Sequence, residues 1–331
     1  MTIVDGARCL RCLAYGALSV IFGITLADRG FTPTLVGAVM SLALLSGAAS
    51  SAFSGAVVKR IGFRATLLTG AALMVLSPLA FGALVGGLVT RNVVLAGYAC
   101  CGGALLVLYA QLPSVASPIR VSKKRPRASS DNVIVQLTAL FGLDAFAGGF
   151  IVQGFLAYWL HLRFGTSAAA IGVVLFLANV LAAGSFLVAD RVAAKIGLVR
   201  TMVYTHLPSN IVLCIVPLMP TFESASAALL LRFAFSQMDV PTRQAFTMSR
   251  VAPQNRAYAA GVTSAVRPAA AAFGPVLAGV ALQHAGSGLP FFLGGGLKIV
   301  YDLLCVRAIQ RTFKPRRLSS ARRYPVGVGA C

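Results

Sequence analysis

Ten apolar runs, each of roughly 20 residues, divide the chain, and they leave few folds open to it. About 20 apolar residues in a helix cross a hydrocarbon core of roughly 30 Å, whereas a barrel strand needs only about ten residues of alternating character. The runs fall near 8–27, 34–58, 65–89, 92–112, 133–160, 168–189, 199–219, 224–240, 257–283 and 288–309. Lipid offers no water to an open backbone, so runs of this length close their hydrogen bonds internally as helices. An all-α polytopic membrane protein is therefore expected. Composition agrees, with 58% hydrophobic and 11% charged residues where a soluble domain carries about 25% charged. The first run follows only seven residues and reads as a retained helix, not a signal peptide.

The net charge of +21 is unevenly placed along the chain. With the amino terminus inside, 23 of the 29 Lys and Arg residues fall in cytoplasmic segments, Arg29, Arg91 and Arg163 fall outside, and Arg232, Arg267 and Lys298 fall within spans. This is the positive-inside pattern, and it predicts that both termini are cytoplasmic. The basic charge serves topology first and anionic lipid second, as in the tail "RTFKPRRLSSARRYP". A nucleic-acid partner is not expected, because no folded binding module accompanies the charge. Short loops, an Arg/Ala/Gly-rich composition and the lack of an Asn-x-Ser/Thr sequon suit a bacterial inner membrane. "RCLRC" puts Cys9 and Cys12 on one helical face, but no second pair at ligand spacing follows, so no metal is expected.

An internal repeat carries more information. Shifted by 135 residues, "GFTPTLVGAVMSLALLSG…VVKRIGFR" aligns without a gap on "GTSAAAIGVVLFLANVLAAG…VAAKIGLVR". Gly30 meets Gly165, Gly37 meets Gly172, and Arg60-Ile61-Gly62 meets Lys195-Ile196-Gly197. Both copies start at a short outer loop and descend to a basic inner turn, so the halves have the same orientation. Parallel repeats of this kind are one of the transporter symmetries, with the substrate held near the midplane between halves.

At these residues the chain resembles the major facilitator superfamily. "GAVVKRIGFR" is similar to the family's loop between its second and third helices, matched by Gly55, Arg60, Gly62 and Arg64. Lys59 stands where the family usually has Asp, and Phe63 replaces a basic residue. "VAPQNRAYAAGVTSAVRPAAAAFGPVLAG" is similar to the stretch leading into and along its eleventh helix, through Pro253, Arg256, Gly261, Arg267, Gly274-Pro275 and Gly279. The resemblance implies two helix bundles. Here they run 1–112 with four helices and 133–312 with six, joined by a basic cytoplasmic linker at 113–132 and followed by a basic tail at 313–331. The shorter half lacks a hairpin, read as the family's fourth and fifth helices. The resemblance also implies conformational gating at the inner loops, to which Asp239 and Arg243, four apart at the cytoplasmic lip, are assigned as well.

Charged and amide groups inside the spans are the candidate solute or proton sites, because such groups are costly in lipid and face a cavity or a partner. They are Asp144, Gln153, Asn179, Arg232, Arg267, Lys298 and Asp302. Asp144 lies about 16 to 18 Å along its helix from the inner edge at 1.5 Å per residue, near the midplane. No basic residue stands three or four positions from it, which makes it the first choice for a proton-coupling acid; a static ion pair with Arg267 or Lys298 is the alternative. Lys298 and Asp302 share a helix face and are expected to neutralise each other. No phosphate loop, metal cluster or catalytic constellation stands out, so neither an enzyme nor a cofactor is expected. The function implied is secondary transport of a small solute by alternating access, with proton coupling; a non-transporting relative acting as scaffold or sensor is the alternative.

Overall fold

A computed structural model describes residues 18–85, 89–111, 128–252 and 255–312. Residues 113–127 of the linker, the tail at 313–331, and Cys9 and Cys12 lie outside the described residues. The first half is α1 (Leu18–Asp28), α2 (Pro33–Ile61), α3 (Phe63–Val85) and α4 (Val89–Ala110). The second is α5 (Ala128–Gly149), α6 (Gln153–Phe164), α7 (Ala168–Ile196), α8 (Leu198–Ile215), α9 (Phe222–Ser236), α10 (Asp239–Arg250), α11 (Arg256–Ala271), α12 (Gly274–Ala285) and α13 (Leu289–Thr312). Pairing α5 with α6, α9 with α10 and α11 with α12 as broken helices leaves ten passes among the described residues, four and then six. Among the described residues, six helical segments are long and apolar enough to cross a membrane by themselves.

The repeat seen in the sequence holds at atomic detail. Helices α2 and α7 are both 29 residues long and start and stop 135 positions apart. Thr32 and Ser167 cap their first turns, accepting from the Leu35 and Ala170 amides, as short hydroxyl side chains do at a helix start. Gly62 and Gly197 end them at φ +86° and +90°, a region open to glycine and strained for other residues. The chain then re-enters α3 and α8 without a longer loop.

Three passes of the second half break near mid-length. "AGGFIV" interrupts α5–α6, Gln237 and Met238 part α9 from α10, and Ala272-Phe273 part α11 from α12. At two of these breaks the backbones touch: a Cβ on Gly149 would strike the Ala271 carbonyl, and one on Gly274 would strike Gly149 itself. Gly149 of "FAGGF" and Gly274 of "GPVLAG" thus let two backbones approach closely. The 224–240 run was expected to end around Asp239, but the helix resumes and continues to Arg250. The polar stretch "DVPTRQAFTMSR" hid that extension from an apolar scan, because its charges are paired inside the protein and not held in water.

The halves meet where α2 packs on α12. There Gly37 lies against the Pro275 carbonyl and Gly279 against the Pro33 carbonyl, while the Val276 amide donates to Ser41 Oγ at 3.0 Å. Nearby, Gly23 of α1 lies on the Gly154 carbonyl and Tyr158 Oη donates to the Phe31 carbonyl at 3.1 Å. A core of Phe155, Tyr158, Trp159, Ile171, Leu213 and Phe291 backs this end.

Substitution of either seam glycine tests this packing. Gly37→Leu and Gly279→Leu each force two backbones apart and should cost about 1–3 kcal/mol, read as a lower melting temperature in detergent. Gly47→Ala, on an open stretch of α2, should leave the melting temperature unchanged or slightly raised.

Candidate functional site

Below the three breaks, a group of charged side chains converges in the interior of the second bundle. Its centre is Asp144 of α5. Lys298 Nζ donates to Asp144 Oδ1 at 2.6 Å, and Arg243 and Arg267 each donate through Nη1 to Oδ2 at 3.0 Å. His206 Nε2 stands 3.8 Å from Oδ1. Arg243 also donates to Asp239 Oδ2 at 2.7 Å, and its guanidinium stacks over the Phe141 ring. A second carboxylate, Asp302, holds His206 Nδ1 at 2.7 Å and the Asn210 amide at 3.0 Å. The members thus come from α5, α8, α10, α11 and α13, each on a different pass.

The placement follows from local structure. Asp239 sits in the first turn of α10, where the positive end of the helix favours a carboxylate; it meets Arg243 one turn on. His206 and Asn210 are also one turn apart on α8. Lys298 and Asp302 share a face of α13, yet they do not neutralise each other: Lys298 turns to Asp144 and Asp302 to His206 and Asn210. The local pairing expected for them is corrected by the nearer partners on α5 and α8.

Asp239 and Arg243 form the expected pair, but not at a cytoplasmic lip. Both are buried, and Arg243 is part of the Asp144 array. The reason is the α9–α10 break, which lets the helix start anew inside the bundle. Arg267 is the most open member, its side chain about one-third exposed. Arg232, in α9, joins no ion pair among the described residues; its Nε is buried without a hydrogen-bond partner, and its guanidinium lies over the Phe233 ring.

Gln153 and Asn179 are not brought to the array. Gln153 begins α6 beyond the break, and Asn179 is exposed on α7, donating to its own helix at the Leu175 carbonyl. Of the gating candidates, Gly55 lies in α2, Arg60 is exposed near its end, Gly62 forms the turn, and Arg64 donates to the Ala110 carbonyl at 2.6 Å, tying α3 to the end of α4. Sequence reasoning passed over His206, Asn210 and Tyr301. The i, i+4 polar pair in "HLPSN" was a usable signal. Tyr301 had none, since its ring only acquires meaning edge-on to His206.

A cleft of about 840 Å³ opens beside the array. Val203, Phe246 and Val306 line it, each one helical turn from His206, Arg243 or Asp302. Met202, Phe246, Tyr301 and Cys305 pack together as an apolar floor between cleft and charges.

Known proteins share this architecture, although no protein-family model matches the chain. A curated relative, an uncharacterized membrane protein of Saccharomyces cerevisiae, is 26% identical over 174 residues, which are 52% of this chain and 39% of that protein. The chain thus spans about two fifths of that relative's length. Two solved structures have the same fold. One is the human organic anion transporter MFSD10, at 16% identity and TM-score 0.50 over 92% of this chain and 84% of that one. The other is a point variant of the nucleoside transporter NupG, at 13% identity and TM-score 0.52 over 92% and 94%. The chain is a multi-pass membrane protein with the major facilitator fold that the sequence resemblance implied.

Removing one partner of a buried ion pair costs about 3–5 kcal/mol because the other charge is left uncompensated. Asp144→Asn leaves Lys298 and Arg267 without a carboxylate, Arg243 keeping Asp239, and should reduce thermal stability more than Lys298→Met, which leaves Asp144 with two guanidinium partners. The double variant should be more stable than Asp144→Asn alone.

Proposed function

We propose that this protein moves a small solute across the bilayer by alternating access of its two halves, with proton coupling at the buried charge array. The observation that carries the reading is the unequal closure of the seam between halves. Helix α2 is well packed down to Ser41, where it meets α12, and its described side chains are largely exposed from Leu42 to Ile61. With the basic segments and both termini on the cytoplasmic side, the packed end faces outward. The arrangement then corresponds to a state closed to the outside and open to the inside, one of the two that alternating access requires.

A switch between two such states needs differential stabilisation, and only a group whose contacts differ between them can supply it. The broken helices offer the means. Asp144, Arg243 and Arg267 hang on three passes that each hinge just above the array, so movement at the breaks rearranges their pairs. Asp144 is the structural hub of the coupling site. His206 stands between Asp144 and Asp302, 3.8 Å from the one and 2.7 Å from the other, and so links the two carboxylates of that site. Gly55, Arg60, Gly62 and Arg64 act at the inner end of the seam, where the turn between α2 and α3 moves with the first half. One solved neighbour is an organic anion transporter and the other a nucleoside transporter, so the fold itself leaves the solute open.

Reconstituted proteoliposomes test the proposal. A panel of small solutes should include at least one taken up faster than by protein-free vesicles, and accumulated when a pH gradient is imposed; no uptake of any solute would leave a non-transporting membrane protein instead. In a background lacking the native cysteines, oxidation of Ser41→Cys with Val276→Cys should lock the outer seam and stop uptake, and reduction should restore it. His206→Asn should abolish gradient-driven accumulation while downhill exchange continues. Unchanged accumulation in that variant removes His206 from the coupling step.

A further inference from the structure

Beyond the array there is an unbalanced charge. Among the described residues, the carboxylates within the bundle interior are Asp144, Asp239 and Asp302, and Arg243, Arg267 and Lys298 are the three permanent cations of the array. Arg232 is a fourth. It lies ten residues into α9, about 15 Å below the helix start at 1.5 Å per residue, which is close to mid-membrane. Its charge is felt at Asp144, but no carboxylate reaches it among the described residues. An arginine at such depth without a partner is costly in lipid and calls for one.

The side chain itself shows where a partner would come from. Nε is buried and makes no hydrogen bond, while the residue as a whole keeps accessible surface despite lying deep within the bundle. The Phe233 ring stands against the guanidinium at 5.1 Å, and the side chain's partial exposure leaves room at its free end for a small partner. Close by, on the α8 face that touches α9, Ser209 Oγ donates to the Arg232 carbonyl at 3.3 Å. A fork of N–H donors that no carboxylate pairs among the described residues, beside an aromatic face, suits a ligand with a planar anionic group and an apolar body.

We infer that Arg232 is the anchoring residue for a small organic monocarboxylate, which is the class of solute the protein takes. This rests on the transport reading given above. One negative charge balances the surplus, where a dianion would reverse it. A planar carboxylate accepts two parallel N–H bonds from guanidinium, which ammonium cannot reproduce. Arg267, already bonded to Asp144, is not needed for the contact.

The test uses the purified full chain in detergent with acetate, lactate and benzoate as probes, each compared with its neutral amide. Binding is read by isothermal titration and by thermal shift. At least one carboxylate should bind and stabilise the protein while its amide binds about tenfold or more weakly, as expected for loss of a charge-assisted bond. Arg232→Gln should weaken that carboxylate by a similar factor and leave the amide unchanged. Arg232→Lys, which keeps the buried charge, should fold like the parent and recover only part of the affinity; it carries the test should Arg232→Gln not fold. Failure of all three carboxylates to bind, equal binding of the amide, or full affinity in Arg232→Gln overturns the inference. Uptake measurements separate the two claims. Carboxylate binding through Arg232 without movement across the vesicle keeps the anion site and rejects transport, whereas uptake of neutral solutes without carboxylate binding keeps transport and rejects the anion site.

Discussion

One carboxylate inside a low-dielectric bundle is bonded by three cations drawn from three other passes. Without Asp144, Arg267 and Lys298 would have no carboxylate, and Arg243 only Asp239, in a region where an unpaired charge is strongly disfavoured. The arrangement therefore dictates which helices of the second half must lie together: α5, α10, α11 and α13 converge because their charges have no other place to go. Apolar packing between membrane helices is not selective in the same way, since lipid tails are as apolar as Leu. The ion array supplies register where apolar contact cannot.

Helix breaks and charges depend on each other here. A continuous helix would present Asp239 and Arg243 in its interior with every amide already bonded. The interruption at Gln237 and Met238 instead gives Asp239 the favourable start of a new helix, and holds Arg243 where it bridges two carboxylates. The breaks at Phe150 and Phe273 sit just beyond Asp144 and Arg267, where Gly149 and Gly274 bring two backbones into contact. Close backbone contact thus stands at two of the breaks, and paired charge lies below them.

The seam between halves uses a different physics. At its packed end, glycines let α2 and α12 approach to backbone distance, and the Ser41 hydroxyl accepts from the Val276 amide beside the break. No charge is paired across this contact among the described residues, since the ion array lies wholly within one half. That division of labour, permanent electrostatics inside a bundle and small neutral residues between bundles, is what a protein with two interconverting arrangements needs.

Much of the fold was legible in the chain itself. Ten apolar runs implied ten passes because hydrocarbon thickness sets helix length, and the repeat at 135 residues matched α2 to α7, although the runs at 34–58 and 168–189 stopped short of the helix ends at Ile61 and Ile196. Asp144, Arg232, Arg267, Lys298 and Asp302 were recognisable as costly charges for the same reason. Their partners were not. Spacing along one helix paired Lys298 with Asp302 and put Asp239 and Arg243 at a membrane edge, while His206, Asn210 and Tyr301 were given no role. Only the tertiary structure decided those pairings, because a buried charge is satisfied by whatever lies nearest in space, and packing of α5, α8, α10, α11 and α13 brings residues up to 154 positions apart to hydrogen-bonding distance.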